Sequence, residues 1–85
     1  MQELQAVKQI SVFPNPTSDN VFINIRGELP TEIQIKSIDG VVLHRLSSVT
    51  ESNVINISSL QSGLYIVSIV FADRVVEEKI LKQNK

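Results

Sequence analysis

Ser18, Asp19 and Asn20 form an oxygen-rich run, and the first chemistry they suggest is calcium binding. A dedicated calcium loop alternates its ligands and closes on a glutamate, and this run does neither. Glu77 and Glu78 are adjacent carboxylates, but neighbours in a strand point to opposite faces, which is wrong for an acid and a base acting on one bond. His44 is the only histidine, and with no second ligand-type residue beside it, it reads as an ordinary strand histidine rather than a pH switch. Serines are plentiful, yet there is no Gly-x-Ser-x-Gly elbow to raise one as a nucleophile. Gly27, Gly40 and Gly63 are too scattered to cradle a phosphate. The chain has no cysteine, which removes disulfides, thiolate metal sites and cysteine nucleophiles together. Asn56-Ile57-Ser58 fits the N-glycosylation triplet, but the triplet arises often by chance and this one falls in an expected strand. No catalytic residue, metal site or cofactor is expected.

Composition narrows the partners as well. Net charge is −1 with both signs scattered, so there is no electrostatic footprint for nucleic acid or an anionic membrane. No small-molecule substrate is expected either. With 85 residues the chain forms one domain, and one of this size buries roughly 60–65% of its unfolded surface. Hydrophobic residues make up 42% but aromatics only 5%, with no tryptophan, so Val, Ile and Leu must pack the core and strands are favoured.

The elements follow from the apolar period. Gly63 to Phe71 is apolar or β-branched except at Ser68, too short for a membrane span and suited to a central strand. Tyr65, Val67, Ile69 and Phe71 share one face, and Leu64, Ile66 and Val70 the other, so both faces need a cover. Earlier in the chain, Ile10 to Phe13 is a short strand ended by Pro14-Asn15-Pro16, where two ladder donors are missing. Thr17 to Asn20 supplies turn chemistry. Val21 to Arg26 alternates with Val21, Ile23 and Ile25 inward and Phe22 as an apolar exception on the outer face. A strand through Ile33 to Ile38 and another through Val41 to Leu46 flank Asp39-Gly40, which predicts a type I′ hairpin turn. Asn53 to Ile57 alternates with Val54 expected to pack and Ile55 and Ile57 as further candidates, and Leu60 tucks into the core from the tight connection before Gly63. Val75 to Leu81 is the last strand, with Glu77, Glu78, Lys79 and Lys82 as a charged outer side that protects an edge, and Lys82 to Lys85 as a solvated end. About seven short strands with turn signals between them predict an all-β, immunoglobulin-like antiparallel sandwich. Met1 to Lys8 is polar, without the charged-then-apolar form of a leader.

Three motifs in order resemble the type A C-terminal sorting domain of the type IX secretion system. They are Val12-Phe13-Pro14-Asn15-Pro16-Thr17, Ser59-Leu60-Gln61-Ser62-Gly63-Leu64-Tyr65-Ile66-Val67 and Lys79-Ile80-Leu81-Lys82. The resemblance spans about Ile10 to Lys82, with Phe13 where the family often has tyrosine. It implies residues 1–9 as a linker or tail and 10–85 as the sorting domain, with Pro14, Asn15, Pro16, Gly63, Tyr65, Lys79 and Lys82 as the signal residues. It further implies an N-terminally fused cargo carried through the periplasm to the cell surface or medium. The implied partners are outer-membrane components of the secretion machinery, a shuttle protein and a sortase-like peptidase that commonly removes the domain. Pairing of an edge strand with a receptor's sheet would suit such a role. The alternative is a fibronectin-like or carbohydrate-binding accessory module of a secreted enzyme. Against glycan binding, the only tyrosine lies on the central strand and no tryptophan is present to stack on sugars.

Overall fold

Period-two alternation of Ile and Val against polar residues draws the chain into strands that each offer one apolar face. The computed structural model describes residues 9–84, and contains β1 (Ile10–Phe13), β2 (Asn20–Ile25), β3 (Glu32–Ser37), β4 (Val42–Leu46), β5 (Ser52–Asn56), β6 (Gly63–Val70) and β7 (Val75–Lys82). The expected tail lies, except for Gln9, outside the described residues. Pairing is antiparallel throughout, in a three-stranded sheet β1-β2-β5 and a four-stranded sheet β4-β3-β6-β7. Because β2 pairs with β5 and β3 with β6, the chain crosses three times between sheets, after β2, β4 and β5. This is the Greek-key arrangement of an immunoglobulin-like sandwich.

The core is the two inner faces. Ile10, Val21, Ile23, Ile25, Ile55 and Ile57 come from the β1-β2-β5 side, and Ile33, Ile35, Val67, Ile69, Phe71 and Ile80 from the other. β6 is central, between β3 and β7, and its Val67 and Ile69, with Phe71 just beyond its end, are buried as the period requires, with Tyr65 half-buried beside them. Its other face has no second layer among the described residues. Leu64 is exposed and Ile66 and Val70 are half-buried, while Ser68 is 0% exposed. Side chains of the flanking strands cover Ser68: Glu77 accepts from the Ser68 hydroxyl at 3.1 Å and from Lys36 Nζ at 3.2 Å.

Two expectations change. The Asp39-Gly40 hairpin forms, but not through a type I′ turn, which needs positive φ at both central residues. Only Gly40 is positive, at 95°, and its N–H bonds the Ser37 C=O at 2.9 Å while Ser37 N–H bonds the Val41 C=O at 2.9 Å. The Ser37 hydroxyl donates to Asp39 Oδ1 at 2.7 Å, which holds Asp39 in an ordinary conformation and its carboxyl below the usual range. The loop is therefore one residue longer, with glycine at the bulge. Val54 is exposed rather than packed, because Ile55 and Ile57 take the inward positions of β5. On the outer face Val54 lies opposite Phe22, which in turn lies opposite Phe13, and the two rings stack at 5.6 Å and 12°.

Candidate functional site

Pro14 and Pro16 cannot donate, so the segment after β1 cannot join a sheet as a regular strand. What it does instead is close on β7. Asn15 lies between the prolines, and its amide does the work of a backbone unit: Oδ1 accepts from Leu81 N–H at 2.9 Å and Nδ2 donates to the Lys79 C=O at 3.4 Å. Thr17 then restores true main-chain pairing, its N–H donating to the Leu81 C=O at 2.9 Å and its C=O accepting from Gln83 N–H at 2.7 Å. That is a parallel bridge between Thr17 and Lys82. The Thr17 hydroxyl donates to the Asn20 C=O at 2.6 Å, closing the expected turn, and the residue is buried. Asp19 continues the anchoring through its C=O, which accepts from Ile57 N–H at 2.7 Å.

On its other side, the same part of β7 pairs with the second motif: Gly63 with Lys82, Leu64 with Leu81 and Tyr65 with Ile80. Gly63 has φ +149°, a conformation that side-chain-bearing residues rarely adopt. Two residues on, the Tyr65 hydroxyl donates to the Gln61 C=O at 2.6 Å and fastens the connection from β5. A tyrosine at the start of this strand bonding the chain a few residues upstream is the tyrosine corner of immunoglobulin-like sandwiches. The three sequence motifs, distant along the chain, thus meet around residues 79–83.

The two lysines of the third motif part company. Lys79 is exposed on the outer face of β7 beside Ile66, and no carboxylate meets it among the described residues. Lys82 was expected on the charged outer side and in a solvated end, but it is 3% exposed. The reason is the strand period: β7 runs on to Lys82, which faces inward with Ile80, opposite Gly63. Its ammonium reaches Asn84 Oδ1 at 3.5 Å. Glu77 and Glu78 do fall on opposite faces, and the bond and charge of Lys36, with the Ser68 hydroxyl, hold the Glu77 carboxyl below its ordinary range. His44 is exposed on the edge strand β4. Among the described residues no three His, Cys, Asp or Glu side chains gather as metal ligands.

Thr17 and Leu81, which lie within the first and third motifs but are not among the expected signal residues, belong to this site, as does Gln83 outside them. Leu81 and Gln83 act through their backbone and leave no side-chain signal. Thr17 did leave one: it is the first residue after Pro14-Asn15-Pro16 with an N–H to donate.

A sandwich whose motif residues converge on the end of its last strand has the form of a recognition module. A family model described as the secretion system C-terminal sorting domain matches residues 11–83, and the chain belongs to that family. It is a sorting signal for type IX secretion. This settles the choice against an accessory module, which the sandwich alone would fit equally well. The chain is also similar to ulvan lyase NLR42 of Nonlabens ulvanivorans, 27% identical over 81 residues. That alignment covers 94% of this chain and spans 15% of the length of the relative.

Proposed function

We propose that this domain is the exported handle of a larger secreted protein fused to its N-terminus. The cargo passes through the periplasm and reaches the cell surface or medium once the handle is engaged at the outer membrane. A shuttle protein and a sortase-like peptidase of the type IX machinery are the partners, and Pro14, Asn15, Pro16, Gly63, Tyr65, Lys79 and Lys82 mark the region they engage. The observation that carries this is the meeting of all three motifs around residues 79–83, where Asn15 and Thr17 hold one edge of β7 and Gly63 to Tyr65 the other. The relative matched is named as an ulvan lyase and is far longer than this chain, which suits a tail carried by a secreted enzyme.

A periplasmic reporter fused to residues 10–85 tests the reading in cells that have the secretion system. Reporter at the surface or in the medium is expected with the domain and not without it. Equal export in both cases would overturn the proposal.

A further inference from the structure

The bonds made by the Asn15–Thr17 clasp fix which way the β7 backbone faces. Leu81 N–H, Leu81 C=O and Lys79 C=O point to the clasp, away from β6. Backbone direction alternates along a strand, so Glu77 and Val75, two and four residues back, turn their N–H and C=O groups to the same edge. Nothing among the described residues pairs with them there. The edge of β7 is thus closed at one end and open at the other.

The other edges are poorer templates. β1 is four residues long and runs into Pro14, β4 is five residues long and itself bulged at Leu43, and β5 is five residues long. β7 has eight residues. On the outer face of its open half Val75 is exposed, and Lys79 offers an ammonium with no carboxylate beside it among the described residues. Edge strands left open, long and partly apolar invite strand addition, with main-chain bonds giving affinity and alternate side chains giving selectivity.

We infer that the secretion partner adds an extended segment to β7 at Val75 and Glu77, placing an apolar side chain beside Val75 and an acidic one within reach of Lys79. Asn15 and Thr17 act as a stop that confines pairing to this half and so sets its register. Thr17 is buried and held by three bonds, which makes the clasp part of the fold rather than a cover to be displaced. This inference rests on the sorting reading.

Glu77 permits a test of the main chain itself. Its N–H faces the open edge, so proline there removes a donor that β6 does not use, a position where an edge strand accepts proline. Reporter export by Glu77→Pro is expected to fall about tenfold or more below that of Glu77→Ala, which lacks the same side chain but keeps the N–H. Equal export of the two variants, with the parent exported, would overturn strand addition and leave the sorting reading intact; no export by the parent would overturn the sorting reading. A second measurement serves if Glu77→Pro does not fold. Amide exchange at Glu77 and Lys79 of the parent domain is expected to slow about tenfold or more on adding outer-membrane vesicles from secreting cells, and unchanged exchange would overturn the inference. A dimeric parent that Glu77→Pro renders monomeric would assign the edge to a second copy instead and overturn it as well.

Discussion

Removing Lys82 to Lys85 should unfold a large part of the domain's stability, although the segment is four residues at the end of the chain. Lys82 contributes a buried stem of four methylenes, at about 0.8 kcal/mol each roughly 3 kcal/mol. Truncation also removes Gln83 N–H from the Thr17 C=O and the pairing opposite Gly63, about 1 kcal/mol each. Against this stands the ammonium, held by one 3.5 Å contact, whose imperfect burial costs about 1–3 kcal/mol. The net loss is about 2–4 kcal/mol, a large share of what a small domain has. At about 1.5 kcal/mol per molar the urea midpoint should fall by about 1–3 M. Urea unfolding of residues 9–81 against 9–83 measures it, since 9–83 keeps every contact named here except that of Asn84. Lys82→Met supplies the control: it keeps the stem without the charge and should leave the midpoint at or above that of the parent. Coinciding midpoints for 9–81 and 9–83 would refute the placement of Lys82 in the core face of β7. The result also governs export assays, because a 9–81 fusion left in the periplasm would report an unfolded signal rather than a missing contact.

Tyr65 should divide into a hydroxyl and a ring. Tyr65→Phe removes only the bond to Gln61 and should cost about 1 kcal/mol, whereas Tyr65→Ala also empties a half-buried core position and should cost about 3 kcal/mol or more; equal urea midpoints of parent and Tyr65→Phe would show that the corner carries no stability. Glu77 predicts an acid limb: Lys36 and Ser68 lower its folded pKa below the unfolded value, so its contribution is present above the ordinary carboxylate pKa of about 4.3 and is lost as pH falls through the lower folded value. The urea midpoint of Glu77→Gln should therefore lie below that of the parent at pH 7 and approach it as pH falls below the ordinary carboxylate range; a difference unchanged over that fall would refute the ion pair's role.

What the sequence made legible is what local period controls. Alternation in Val21 to Arg26 and in Gly63 to Phe71 is enough to assign strands and inward faces, and every inward residue named on β2 and β6 is buried or half-buried. The turn at Asp39-Gly40 was located but mistyped, because dipeptide preference does not register that the Ser37 hydroxyl can hold Asp39 and lengthen the loop by one residue. Val54 was misplaced because three apolar residues in a five-residue window fit either phase of the period.

The site was legible as motifs but not as a site. Pro14-Asn15-Pro16 reads locally as a strand terminator, and nothing local distinguishes an asparagine that caps its own turn from one that reaches a strand 64 residues away. The same limit explains Lys82. Charge suggests solvent, yet β7 must extend as far as its two neighbours do, and Gly63 on one side and Thr17 on the other both end opposite position 82. A residue so enclosed faces inward if its parity matches Ile80, and it does. Side-chain chemistry therefore misled where main-chain length decided, and the three motifs are one structural unit because each supplies backbone or a backbone mimic to the same turn of β7. Their order along the chain reflects how the fold brings the segment after its first strand to one edge of the seventh and the start of the sixth to the other.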